Sequence, residues 1–203
     1  MDKPAPASHD VHPLVSKRWS PLAFDPARPV DDATMASLLE AARWAPSSYN
    51  GQPWVYIVGR KQEAASHARV LGCLVEANRR WAKDAPALMI GVARQSFAHN
   101  GKPNRHAAHD VGAASAWLTV QAESMGLRVH QMAGIDAEAC REKLAIPEGY
   151  EALTGIAVGY AGTMGQLPED LRQRERGERM RKPQSEFVYD GVFGGAAGWV
   201  KKG

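Results

Sequence analysis

Apolar residues recur along this chain with two different periods, and their alternation predicts an interleaved set of helices and strands. Met35, Leu38, Leu39, Ala42 and Ala45 fall three or four apart, the spacing of one buried helix face. Asp31, Asp32 and Thr34 offer N-cap groups for that helix, and Pro46 stops it. Residues 61–83 predict a second helix with Val70, Leu71, Leu74 and Val75 inward. Residues 106–126 predict the longest and central one, on a stripe of Val111, Ala114, Leu118, Ala122 and Met125 that ends at Gly126. Shorter helices are expected around His12 to Trp19 and from Asp136 to Ala145, with a polar loop from His99 to Arg105. Strands are predicted at Val55–Val58, over the unbroken apolar run Ala87–Val92, at Val129–Met132 leading to Ala133-Gly134, and at Ile156–Tyr160. Elements of both kinds alternate without a strict βαβ repeat, which predicts a mixed α/β sandwich rather than a doubly wound sheet.

Composition narrows the class. A chain of 203 residues, 44% hydrophobic and 23% charged, is long enough for one domain that buries roughly 70% of its unfolded surface. Its formal charge of +3 is too weak to imply nucleic acid but suits an anionic ligand. No apolar run approaches the ~18 residues of a membrane span, and residues 1–8 carry no apolar core of a signal peptide, so a cytoplasmic protein is expected, disordered over 1–8. Cys73 and Cys140 sit in helix-like segments without a CxxC partner and read as reduced, structural thiols.

Candidate chemistry concentrates in a few places. Pro46-Ser47-Ser48-Tyr49-Asn50-Gly51-Gln52-Pro53-Trp54 packs hydroxyl, amide and aromatic groups into a segment whose prolines exclude a helix or central strand, the composition of a binding loop. A basic run, Arg172, Arg174, Arg176, Arg179, Arg181 and Lys182, is interleaved with Glu169, Asp170, Glu175 and Glu178 and by itself reads as a solvated face. Within it Arg179-x-Arg181-x-Pro183, like Arg18-x-Ser20 near the other end, offers guanidinium forks suited to phosphate oxygens. His106-x-x-His109-Asp110 places two imidazoles and a carboxylate on one helix, too few ligands for a zinc site. Gly159-x-x-Gly162-x-x-Gly165 follows a strand with the wrong spacing for a dinucleotide fingerprint, and no P-loop, GxSxG or HExxH occurs.

In this order the segments resemble the FMN-dependent nitroreductases. The resemblance spans Ser16 to Pro183. It rests on Arg18-Trp19-Ser20-Pro21-x-Ala23-Phe24, Pro46-Ser-x-x-Asn50-x-Gln52-Pro53-Trp54, Asn78 ahead of Asp84-Ala85-Pro86, Asp110-x-Gly112, Gly126-Leu127 leading to Met132-Ala133-Gly134, and Arg179-x-Arg181-x-Pro183. It implies an α+β, nitroreductase-like fold over 1–203: a mixed sheet flanked by helices, in an intertwined homodimer whose C-terminal extension, 184–203, wraps the partner. Tyr189, Phe193 and Trp199 in that glycine-rich tail have no evident place in their own protomer's core.

The resemblance further implies that Arg18 and Ser20, with Trp19 packed between them, join Arg179 and Arg181 on the FMN phosphate. Pro46, Ser47, Ser48, Asn50 and Gln52 would form the loop facing the flavin from the partner subunit. Asn78 would meet the pyrimidine edge, Gln131, Met132, Ala133 and Gly134 would lie along the ring, and the N–H groups of Ala133 and Gly134 would reach N5 and O4. No side chain would serve as acid, base or nucleophile. NAD(P)H as co-substrate would deliver hydride to N5, and a nitroaromatic, quinone or similar planar acceptor would then take the same place in a ping-pong cycle.

Two positions depart from the family pattern. Leu22 and Trp81 stand where relatives carry cations near the flavin N1–O2 edge, and Arg79, Arg80 or Arg18 are the available substitutes. Two alternatives therefore stand beside the leading expectation: an FMN-binding protein whose flavin is structural or sensory, and a basic module that binds nucleic acid or another polyanion through 172–182.

Overall fold

The computed structural model describes residues 3–200; Met1, Asp2 and Lys201 to Gly203, which belong to the predicted terminal segments, lie outside them. Four strands, β1 (Trp54–Arg60), β2 (Ala87–Arg94), β3 (Arg128–Met132) and β4 (Tyr150–Gly159), make one sheet in the order β1-β2-β4-β3. Every neighbouring pair is antiparallel, which corrects the expected mixed sheet. The reason is an insertion. Helix α5 (Ala107–Ser124) does cross from β2 to β3, two strands of the same direction, but β4 sits between them and opposes both.

Strand alternation sends β2 side chains into two cores. Ala87 and Met89, with Val129, Ile156 and Val158, face α5 and the helix α2 (Asp32–Arg43). Leu88, Ile90 and Val92 face the opposite layer, where Leu22, Phe24, Val70, Leu74, Trp81 and Leu171 gather. That second layer is built from α3 (Ala64–Leu71), α4 (Glu76–Ala82), α6 (Ala137–Lys143) and α7 (Glu169–Arg176), with the segment between α1 (Pro13–Lys17) and α2, while α1 itself packs on α5. β2, buried along nearly its whole length, explains the unbroken apolar run.

Helix caps follow the sequence closely. Asp31 accepts from the Thr34 N–H at 2.7 Å, Asp136 from that of Ala139 at 3.0 Å, and Gly126 takes the positive φ (+77°) that ends α5. Three expectations fail. The helix expected over 61–83 is two helices, because residues 73–75 leave the helical path to pair with 134–136: Val75 N–H donates to Gly134 O, Asp136 N–H to Cys73 O, and Leu74 bridges Ile135. Val75 is consequently exposed and Cys73 lies between helices, although both cysteines are buried and unpaired, with burial pushing the Cys140 thiol up to about 12. Met125, past the end of α5, is exposed rather than on the buried stripe.

The run 168–182 is not merely a charged face. α7 buries Leu171 and, one turn later, Glu175, whose carboxylate accepts from the backbone N–H groups of Leu22 (2.9 Å) and Ala23 (3.4 Å). Among the described residues no helix is long and apolar enough to cross a membrane. Replacing Glu175 with Ala removes a charged acceptor from two buried donors and is expected to lower unfolding free energy by about 2–3 kcal/mol in urea titrations. Glu175→Gln, which keeps one acceptor oxygen, should lose less than half of that. Equal losses would show that the carboxylate's charge, not its hydrogen bonds, holds the segment.

Candidate functional site

Residues 18–22, with Lys3, meet residues 174–181 at a cavity of about 430 Å³. After β4 the chain doubles back along 23–25: Phe24 bridges Ala161, Asp25 N–H donates to Tyr160 O at 2.9 Å, and Gly162 N–H to Ala23 O at 3.0 Å. Gly162 must be glycine here, because a Cβ would meet the Phe24 backbone at 2.6 Å. This pairing and the Glu175 clasp hold Arg18, Trp19 and Ser20 on one wall, while the segment after α7 brings Arg179 and Arg181 to the other.

The guanidiniums are held in place by neutral acceptors. Arg179 donates to the carbonyls of Lys3 (2.6 Å) and Ser16 (2.8 Å), and Arg18 donates to Ser20 Oγ at 3.1 Å. Lys3 in turn donates to the carbonyls of Glu175 and Gly177. Burial, and after it the nearby Arg179 and Arg181, pulls the Arg18 guanidinium below its usual range; burial and Arg181 do the same to Arg179. Cations that disfavour one another in a shared cavity form a site for an anion. Trp19, almost wholly buried, lines the cavity, and among the described residues its indole N–H, itself closed from solvent, has no partner.

β3 links this cavity to a second group of predicted residues. At its end Asn78 Nδ2 donates to Gly134 O at 3.0 Å, and a Cβ on residue 134 would lie 2.4 Å from that nitrogen, so only glycine permits the approach. Among the described residues neither the Ala133 nor the Gly134 N–H has an acceptor. Met132 is buried in the core, and the Gln131 side chain turns to α5, donating to Ser115 O (3.2 Å) and Thr119 Oγ1 (3.0 Å).

The third group stands apart. The loop from Pro46 to Gln52 contributes no wall to the arginine cavity. Ser48 N–H donates to Asp110 Oδ2 at 3.0 Å, Gln52 N–H to Ser47 Oγ at 3.1 Å, and Gln52 Nε2 to Asn50 O at 3.2 Å. Tyr49, Asn50 and Gln52 all have positive φ (51°, 51° and 44°), a conformation that costs side-chain-bearing residues of order 1 kcal/mol each and is found where function demands it. The Tyr49 ring is 84% exposed and stands edge-on to Phe97.

Sequence reasoning missed several participants. Asp110, first considered as a metal ligand, is buried and anchors the Ser48 loop; among the described residues no group of three or more potential metal ligands gathers. Glu175 was legible only as a carboxylate one turn after Leu171, the single apolar residue of α7. His130 and Arg174, which border the cavity, carried no motif. Of the three substitutes considered for Leu22 and Trp81, two are engaged elsewhere, Arg80 with Asp170 at 2.7 Å and Arg79 with Glu76 at 3.1 Å, while Arg18 lines the cavity. Trp81 itself is closed in the core, stacked on Phe24.

Known proteins share this architecture. The crystal structure of an oxidoreductase containing FMN superimposes with a TM-score of 0.86 at 35% identity, covering 94% of this chain and 96% of that one. A nitroreductase family protein from Clostridium difficile, at 22% identity, shares the fold with a TM-score of 0.69 over 91% of this chain and 99% of its own. An uncharacterized 15.4 kDa protein of Mycolicibacterium smegmatis is 31% identical over 145 residues, covering 68% of this chain and 97% of that protein. The nitroreductase family model matches residues 15–160, so the sheet, the Arg18 segment and the Pro46 loop all fall within one shared pattern, and the chain belongs to the nitroreductase family.

Proposed function

We infer that this protein is an FMN-dependent oxidoreductase that passes hydride from NAD(P)H to nitroaromatic, quinone or similar planar acceptors, and that it works as a cytoplasmic homodimer. The observation that carries the reading is the meeting of Arg18 with Arg179 and Arg181, about 160 residues further along the chain, on one cavity. The donor set fits the phosphate of FMN, because guanidinium forks and a Ser hydroxyl match its oxygens in charge and geometry.

A bound flavin supplies reversible hydride chemistry that no side chain of this protein offers. The chain's residues bind and orient. Arg18, Ser20, Arg179 and Arg181 hold the phosphate. The free N–H groups of Ala133 and Gly134, presented on a turn that Asn78 fixes from behind, are donors for the polar atoms of the ring. The Ser47-Ser48 loop, anchored by the Ser48 N–H on Asp110, would face a bound flavin from the partner subunit. A dimer is supported by apolar surface with no cover in the protomer: Trp117 and Val120 on α5, and Phe187, Val192, Phe193 and Trp199 in the tail, Phe193 being 95% exposed.

The polyanion alternative is weakened by pairing within and around α7. Arg172 meets Glu169 at 3.1 Å and Lys182 meets Glu186 at 3.8 Å, so two of the run's six cations already have a carboxylate partner.

Purified protein is expected to carry a flavin absorption band. Arg18→Ala and Arg181→Ala should each weaken FMN binding by about 10- to 100-fold, the loss of one charge-assisted hydrogen bond, while leaving riboflavin binding nearly unchanged. Equal losses for both ligands would place the phosphate elsewhere. Initial rates with NAD(P)H and a quinone should give parallel double-reciprocal lines; intersecting lines would indicate that both substrates bind at once.

A further inference from the structure

His130 is the titratable group of the arginine cavity for which the chemistry above has no use. Alternation along β3 turns Val129 and Gln131 toward α5 and sends His130 to the opposite face. There its ring lies against Trp81, centroids 4.5 Å apart, and Nδ1 sits 2.8 Å from the Pro21 carbonyl oxygen. A carbonyl can only accept, so Nδ1 carries the proton and a neutral ring presents Nε2 as a bare lone pair. One face of the ring and one nitrogen are thus engaged, and the residue borders the cavity.

We propose that His130 is a fourth partner of the phosphate-type anion held by Arg18, Arg179 and Arg181, and that binding of the anion draws one proton from solvent onto Nε2. The N–H bond so formed makes His130 a donor with both nitrogens satisfied, and no electrons move. Burial holds the free imidazole below its ordinary range; the Pro21 carbonyl opposes this, and Arg174 and Arg18 add to it. An anion that cancels the field of those guanidiniums reverses the last effect and supplies an acceptor for the imidazolium.

The other charges around the ring leave this sign intact. On α7 both Glu175 oxygens are taken by the Leu22 and Ala23 N–H groups. Glu123 of α5 pairs with Arg128 at 3.0 Å, and Arg80 of α4 is held by Asp170. Lys3 is committed to the Glu175 and Gly177 carbonyls, and Glu178 borders the cavity beside Arg179. Because a proton is taken up on binding, affinity rises as pH falls through the pKa of the bound state and levels off below that of the free ring, as long as the ligand's phosphate, with a second pKa of about 6, stays dianionic.

The inference rests on the phosphate-binding part of the proposed function and not on turnover. Calorimetric titration of the flavin-stripped full chain with FMN at about pH 7.5, in two buffers of different ionisation enthalpy, measures proton uptake. Wild type is expected to take up more protons than His130→Gln, and equal uptake would overturn the proposal while leaving FMN binding intact. If FMN did not bind, the functional reading would fall, and a second measurement would still decide the role of His130. NMR titration of its ring in the wild-type chain should show a pKa raised by inorganic phosphate relative to chloride; an unmoved value would overturn the proposal without any variant having to fold.

Discussion

Holding the guanidiniums of Arg18, Arg179 and Arg181, with Arg174 beside them, around one cavity is the constraint around which the rest of the structure is arranged. Their mutual repulsion and partial burial oppose folding, so the backbone must fix them before any ligand arrives. It does so with neutral acceptors and one carboxylate. The carbonyls of Lys3 and Ser16 fix Arg179, and the Ser20 hydroxyl fixes Arg18. Glu175 spends its charge on the N–H groups of Leu22 and Ala23 rather than on an arginine, so the cations remain available. A carboxylate paired directly with Arg18 would have stabilised the free protein and weakened the site; placing it on the backbone secures the same segment without neutralising the anion's partners.

The Pro46–Gln52 loop shows the same economy of means on the other side of the sheet. Its strained residues persist because Asp110, buried at the start of α5, accepts from Ser48, and because Ser47 and Gln52 close the turn on each other. Rigid anchoring keeps the exposed Tyr49 and the neighbouring serines in a fixed direction without a ligand present, which lowers the ordering entropy that binding would otherwise incur.

Much of this was legible in the sequence. Elements with a single buried face, such as α2 and α5, declared themselves through apolar spacing and caps, and β2 through its unbroken run. The Arg18 and Arg179 pairs were visible as forks before their meeting was known. What stayed hidden depended on contacts between distant segments. The break between α3 and α4 comes from pairing of 73–75 with 134–136, which helix propensity cannot register. The antiparallel order arises from insertion of β4 between two strands already joined by a crossover. His130 escaped notice because a single imidazole in a five-residue strand has no local pattern to distinguish it.

The apolar residues at 22 and 81 follow from the same packing. Trp81 is closed from solvent, stacked on Phe24 at 6.2 Å and against His130 at 4.5 Å, and Leu22 is 2% exposed beside them. A permanent cation at residue 81 would lie in this core without a carboxylate to meet it, at a desolvation cost of several kcal/mol. Leu22 and Trp19 give the cavity apolar lining, and Trp81 lies behind His130. An imidazole in that setting is a group that can be neutral in the free protein and charged once an anion is bound. A lysine or arginine in its place would impose its charge on the core in both states.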